Sequence, residues 1–511
     1  MRYKKNLLIW STLFFSILIK FFSSSPYLFI SMDEPKYLKL AKNLPSYVLF
    51  NKDFFISHPP FYPFVIKLFG LIMPDYVAGL LVSQVSTAGL ILLTFALFRL
   101  LKVEDNIICA SILFLSFSHL LYYWTNMIYK ETFFSFLVYL FIFVFILSLI
   151  KDKQMLTYIS SIIGFLLAFT TDLIIFIFPV IICIILLYGK DYLKQRRYKI
   201  LSLPILFICI GYSIWLLGRY LIYANNIYYP AGVDGLIEKV SDYKFIHILV
   251  PRGFHWTKEI TQSGISFNLL HYLKYLGAFF NLIPPFHISS ANITKKDICI
   301  FIMFYIPLIV FLFRGIILSI VEKNRIGFLM LIIFFSFLSP IIFGISDPRF
   351  SIPALIPVSF FIGKAVTKIK MYSTFPNLLI IFLLCFIFYW IFTHPYFFAF
   401  SHKIVQLEKT SEFIDKLPED GIMAQFGYPP EIAYLTDKRV ICLPLTLEEF
   451  EKQINLYNIH YIIIGTDETY SGEVIRYIKS NSKRFREIKK VVEKYPYVKQ
   501  GEKVYVFEVT H

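Results

Sequence analysis

The sequence predicts a polytopic α-helical membrane protein of about eleven spans with a small C-terminal α/β domain. Three observations predict it. Of 511 residues, 57% are hydrophobic and the mean hydropathy is +0.65, well above a soluble chain of this length. Apolar runs long enough to cross a hydrocarbon core recur along the chain. After Tyr396 the pattern changes to charged segments and short strands.

Charged residues make up 16% and collect in the gaps between apolar runs. The formal charge of +16 is therefore read as membrane topology and not as nucleic-acid binding. The six cysteines are Cys109, Cys183, Cys209, Cys299, Cys385 and Cys442. None is in a CxxC or paired spacing, so neither a disulfide framework nor a zinc site is indicated.

The elements follow in order. The start, MRYKKNLLIWSTLFFSILIKFFSSSP, has the basic and apolar regions of a signal peptide. With many spans behind it, an uncleaved anchor over 6–22 is the better reading. Arg2, Lys4 and Lys5 place its start in the cytoplasm. Residues 23–60 form a first outer loop. The run Phe61–Met73 has 13 residues, about 20 Å as a helix, too short to span. It predicts a juxtamembrane helix at the outer surface. Spans then alternate over 77–98, 107–124, 132–150, 155–171, 173–188 and 200–222. A long outer loop, 224–297, precedes spans 298–316, 326–345, 352–366 and 377–393. The basic loop GKDYLKQRRYK falls on the inner side of this scheme. The transmembrane part is residues 1–395, and 396–511 is an extracytoplasmic α/β domain. There, GIMAQFG, RVICLP, HYIIIG and KVYVFEV read as strands, and TLEEFEKQINLYN and GEVIRYIKSNSKRF as helices. No GxxxxGK[ST] or post-strand GxGxxG occurs, so no nucleotide site is expected.

Four outer elements hold the unusual polar residues. Asp33-Glu34 lies in SMDEPKYLKL. Either carboxylate can cap a helix that begins at Pro35, or one can be a catalytic base with the other beside it. His58 opens HPPFYP, whose prolines fix an extended lead into the juxtamembrane helix. Lys130 and Glu131, in MIYKETFF, sit at the mouth of two spans. They face a cavity, or they form an ion pair that snorkels to water. Arg349, in SDPRFSIPALIP, is an interface anchor or a phosphate ligand, for which its planar fork is suited.

Taken together, these motifs resemble one family. A first-loop carboxylate pair, an HPP-started surface helix, an acidic residue at the next outer turn and a late D-x-R-F-x-x-P resemble the GT-C membrane glycosyltransferases. The similarity is to the dolichyl-phosphate-mannose protein mannosyltransferase and aminoarabinose transferase branch, over about residues 1–370. No WWDxG is present, which separates the chain from the oligosaccharyltransferase branch. The resemblance implies a transferase that moves a sugar from a dolichyl- or undecaprenyl-phosphate monosaccharide at the outer face of the cell membrane. It implies Asp33 as base, Glu34 and Glu131 as further acidic site residues, and Arg349 near the donor phosphate. Lys130 and His58 are candidate helpers at that phosphate. The acceptor is a protein, lipid or glycan. A lipid-phosphate sugar carries its own leaving group, so no nucleotide is needed. One displacement needs a base for the acceptor proton and cations at the leaving phosphate, and it inverts the anomeric centre. The carboxylates have the chemistry to bind a divalent cation, although no ligand set is readable. The 57 Phe and 35 Tyr fit a prenyl groove, and they also fit lipid-facing packing and interface belts.

Two other classes compete. A secondary transporter would place coupling charges near the midplane, often within inverted repeats, and no such repeat is found. A lipid-linked glycan ligase or polymerase of another fold would share substrates without needing the first-loop pair or the late arginine motif.

Overall fold

The computed structural model describes residues 34–44, 59–224, 228–231, 236–239, 306–342, 348–368 and 405–510, with parts of 10–17 and short internal gaps. Most of the first predicted span, the whole of the last, the start of 298–316, and most of both outer loops lie outside the described residues.

Helix α1 (Glu34–Asn43) is followed by α2 (Phe61–Gly70) and α3 (Asp75–Leu100). Then come α4 (Asp105–Ser116), α5 (His119–Thr125), α6 (Lys130–Lys151) and α7 (Gln154–Ala168). A 3-10 turn (Asp172–Ile177) leads into α8 (Phe178–Tyr188), followed by α9 (Tyr198–Ala224) and a hairpin of β1 (Tyr228–Ala231) and β2 (Leu236–Lys239). Helices α10 (Ile306–Val321) and α11 (Arg325–Ile342), a 3-10 segment (Pro348–Ala354) and α12 (Leu355–Thr367) complete the apolar part.

Among the described residues, four helical segments are long and apolar enough to cross a membrane: Asp75–Leu100, Lys130–Lys151, Tyr198–Gly218 and Arg349–Thr367. Helix α2, at 10 residues, is too short to cross. Its Tyr62 and Ile66 are buried against the bundle, while Phe64 and Leu68 are exposed. The predicted span 107–124 is divided after Ser116. The Ser118 hydroxyl accepts the Leu121 N–H at 3.2 Å and starts α5 as a separate helix, in the manner of an N-cap.

Small residues set the close helix crossings. A Cβ on Gly363 of α12 would stand 2.7 Å from Ser111 Oγ of α4, and Ser111 Oγ donates to the Ser359 carbonyl at 3.0 Å. Gly315 of α10 lies directly on the Phe361 backbone of α12. Such contacts hold apolar helices together by close packing where burial from water contributes little.

The C-terminal domain contains α13 (Glu408–Asp415), β3 (Ile422–Ala424), α14 (Pro429–Thr436), β4 (Val440–Cys442) and α15 (Leu447–Tyr457). It continues with β5 (Tyr461–Ile464), α16 (Gly472–Ser480), β6 (Phe485–Tyr495) and β7 (Val498–Val509). The sheet order is β4-β3-β5-β7-β6, with β4, β3 and β5 parallel and the last two strands antiparallel. One core joins α15 and α16 to one face of the sheet; α13 and α14 cover the other. Thr446 caps α15 by accepting the Glu449 N–H, and Asn458 ends it in the left-handed region at φ 51°. The four predicted strands and two predicted helices are all present. β6, α13 and α14 were not foreseen.

Candidate active site

The polar residues at one end of the bundle converge through three short pieces of chain: α1, the turn before α6, and the 3-10 segment before α12. Each is anchored. Glu34, at the start of α1, accepts the Ile128 N–H on Oε1 at 2.9 Å and so holds the turn that leads into Lys130 and Glu131. Tyr139 of α6 donates to the Pro353 carbonyl at 2.7 Å, fixing the segment that carries Arg349. Tyr62 of α2 shares a hydrogen bond with Ser83 of α3 at 3.1 Å. Its ring meets that of Tyr37 edge-on at 5.2 Å, and Tyr37 meets Tyr129 at 6.1 Å.

Arg349 and Glu131 meet at the centre. Arg349 Nε stands 3.8 Å from Glu131 Oε1, an ion pair too long for a good hydrogen bond. The Glu131 side chain is 4% exposed and that of Arg349 18%, so solvent screens the pair weakly. Rings surround the guanidinium. Its Cζ lies 4.8 Å from the centre of Tyr129, 5.0 Å from Phe350 and 5.7 Å from Trp124. Each ring face adds roughly 0.5–2 kcal/mol of attraction when water is excluded. The guanidinium has five donors, more than one carboxylate can use. The arrangement can therefore hold a planar cation rigidly while presenting N–H groups to an anion.

Further charges are buried nearby along the sequence. Lys36 and Lys39 of α1 and Lys130 of α6 are all buried. Lys39 Nζ donates to the Ala433 carbonyl at 2.7 Å, which joins α1 to α14 of the C-terminal domain. Glu431, on the same α14, is buried and accepts the Leu407 N–H at 2.9 Å. Burial pushes its carboxyl up to about 8; the Leu407 bond opposes this, and the charges of Glu493, Glu408 and Glu34 add to it. The C-terminal domain therefore packs onto the first-loop helix and brings a buried acid toward Glu34.

Of the residues singled out in the sequence, the structure brings Glu131 and Arg349 into contact and ties Glu34 to the turn before Lys130. Asp33, His58 and Asp347 lie outside the described residues. The sequence reading missed the aromatic box of Trp124, Tyr129 and Phe350, and also Glu431. A usable signal for the box was the aromatic density of LLYYWTNMIYKE immediately before the Lys130-Glu131 pair. Among the described residues, no three His, Cys, Asp or Glu side chains group as metal ligands.

No protein-family model matches the sequence, and no curated protein matches it. Solved structures do. The chain is similar to ArnT from Cupriavidus metallidurans in its apo state, with a TM-score of 0.58 at 9% identity over 97% of both chains. It is also similar to ArnT from the same organism bound to undecaprenyl phosphate, with a TM-score of 0.53 at 9% identity, covering 99% of this chain and 97% of that one. At this identity the likeness is one of fold, and it runs over nearly the whole chain, through the apolar helical part and the small C-terminal α/β domain.

Proposed function

We propose that the chain is an integral-membrane glycosyltransferase that uses a polyprenyl-phosphate monosaccharide as donor. The observation that carries this reading is the Arg349–Glu131 pair held in an aromatic box at one end of a GT-C fold. The similarity to a structure of ArnT bound to undecaprenyl phosphate supports the donor class.

In this reading the site lies at the outer face of the cell membrane, and Arg349 takes the donor phosphate, with Lys130 and His58 assisting. Charge grows on the leaving phosphate as the anomeric bond breaks, and a fixed guanidinium stabilises it. Its rings keep it from reorienting toward water. Asp33 accepts the proton of the acceptor nucleophile, and attack from the opposite side inverts the centre. Glu131 orients Arg349 and balances its charge before donor binds. Glu34 acts by positioning, through Ile128. The acceptor is a protein, lipid or glycan reached from the side of the C-terminal domain.

The test is a panel of radiolabelled polyprenyl-phosphate sugars offered to the purified protein with membrane extract as acceptor. Label should leave one donor, and Asp33→Asn should fold, bind that donor and lose at least about a hundredfold in turnover. Absence of donor binding across the panel would reject the donor class. Normal turnover in Asp33→Asn would remove the base.

A further inference from the structure

A concave site lies one helix away from Arg349. Helix α11 has 18 residues, about 27 Å, and it separates Arg325 at its start from the Arg349 segment beyond its end. At the Arg325 end is a cavity of about 310 Å³. Its walls are apolar, including Ile316 and Ile320 of α10 and Phe328 and Leu331 of α11. Its polar rim carries Lys323 and Arg325.

The rim is rigid. The Lys323 N–H bonds the Ile320 carbonyl at 3.0 Å and the Asn324 N–H bonds the Ser319 carbonyl at 3.1 Å. Lys323 holds φ 48°, and Asn324 Oδ1 accepts the Ile326 N–H at 2.9 Å. The neighbouring charges are already matched: buried Lys364 pairs with Glu322 at 2.8 Å and also donates to Ser319 at 3.2 Å. Lys368 faces Glu104 at 3.7 Å. Lys323 and Arg325 have no carboxylate within ion-pair distance among the described residues. Of the walls, Ile320 and Phe328 are exposed, and so are Ile317 and Val321 beside them on α10, as a hydrocarbon-facing surface would be.

The geometry points to a binding site for an anionic phospholipid, its phosphodiester between Lys323 and Arg325 and an acyl chain along α10 and α11. Charge complementarity selects the occupant. Two matched cations would leave nothing for a head group, whereas here, among the described residues, the one acid at the rim, Glu322, is already taken by Lys364, and neither Lys323 nor Arg325 has a carboxylate within ion-pair distance. Arg325 offers the planar fork that suits phosphate oxygens, and Lys323 adds a point charge. A zwitterionic lipid brings its own ammonium group, which these cations repel. A free phosphate has no use for the walls. The site is separate from the proposed donor site, and its occupancy does not depend on what the Arg349 end does.

Native mass spectrometry of the detergent-purified full chain, titrated with phosphatidylglycerol or phosphatidylcholine, tests this. Phosphatidylglycerol should bind at least tenfold more tightly than phosphatidylcholine and raise the unfolding temperature, and inorganic phosphate alone should not. The double variant K323Q/R325Q should lose that preference while remaining folded, since both side chains are on an exposed turn. Lys199→Gln, another exposed cation outside the cavity, should keep it. Ile316→Trp, which fills the apolar wall, should weaken binding with the charges intact. Equal binding of the two lipids, an unchanged K323Q/R325Q, or an equal loss in Lys199→Gln would overturn the site. Protection by inorganic phosphate alone would make it an anion site with no lipid role.

Discussion

Glu34 and Ile128, 94 residues apart, are joined by a single buried hydrogen bond of 2.9 Å from the Ile128 N–H to Glu34 Oε1. The bond lies between the start of α1 and the turn before α6. In the proposed reading it assigns Glu34 to positioning and leaves the proton transfer to Asp33. A carboxylate committed to a backbone N–H is poorly placed to take a substrate proton, since that contact stabilises its charged form. A bond of this kind, to a charged group, contributes roughly 1.5–3 kcal/mol, and losing one partner in a buried place costs more than the mean.

Glu34→Gln should therefore keep most of the activity, because the amide oxygen still accepts the Ile128 N–H. Glu34→Ala removes the acceptor and frees the turn that carries Lys130 and Glu131, and a displacement of about 1 Å there should cost on the order of a hundredfold in turnover. Parallel kinetics of the two variants on the donor identified above check this. If Gln proved as damaging as Ala, the charge of Glu34 would be needed and positioning alone would not explain it.

Arg349 should tolerate no conservative replacement. Arg349→Lys retains charge but loses both the planar fork and its stacking on Tyr129, Phe350 and Trp124. Donor affinity should fall at least about tenfold, equivalent to about 1.4 kcal/mol. Trp124→Leu keeps the arginine and removes one ring, so its loss should be smaller, in the range of about 0.5–2 kcal/mol. Donor binding by equilibrium dialysis separates the two. An Arg349→Lys protein with wild-type affinity would exclude the phosphate role.

Much of this arrangement was legible in the sequence because its cause is local. Apolar runs bounded by Lys and Arg give helices whatever their neighbours, and HYIIIG declares a strand by composition. What failed was what depends on partners. β6, FREIKKVVEKY, is charged at most positions, and it becomes a strand by pairing along the length of β7. α14 is eight residues long with Pro429 and Pro430 at its start, too short for a periodic signal. The run 107–124 looked continuous because Ser118 is unremarkable in sequence until its hydroxyl caps α5. Charge alone suggests solvent exposure in the tail, yet Glu431 and Glu493 are buried, because each accepts backbone N–H groups inside the domain. The aromatics around Arg349 are not separable by composition from the many Phe and Tyr that fit a prenyl groove or lipid and interface packing, because the box forms only when Trp124, Tyr129 and Phe350 meet in space.

The attachment of the C-terminal domain gives another expectation. Lys39→Met keeps the stem packed but removes the 2.7 Å donation to the Ala433 carbonyl. That leaves a carbonyl of α14 without this donor and should loosen the domain from α1. Limited proteolysis between the membrane part and the domain should accelerate severalfold. Turnover should fall less than in Glu34→Ala, since α1 keeps its bond to Ile128. An unchanged digestion rate would show that the Lys39 contact does not hold the domain.

The last expectation concerns pH. Glu431 lies outside the membrane-spanning segments, and burial raises its carboxyl from an ordinary 4.5 to about 8. Near pH 6 the folded domain keeps this proton, while the unfolded chain has released it. The folded state then binds more protons, so stability falls as pH rises. The decline should begin near 4.5, steepen to at most about 1.4 kcal/mol per pH unit, and level off above about 8. Glu493 is shifted in the same direction by burial, opposed by bonds from Thr410 and Lys409, and adds a smaller slope of the same sign. Glu431→Gln is neutral throughout and still accepts the Leu407 N–H. It should match the wild type near pH 5, exceed it near pH 8, and show a flatter profile between them. Thermal unfolding of both proteins across that range, followed by a label in the C-terminal domain, reads the difference. Parallel profiles would mean that Glu431 titrates alike in the folded and unfolded chains, and that the contact between α14 and α1 does not respond to pH through this residue.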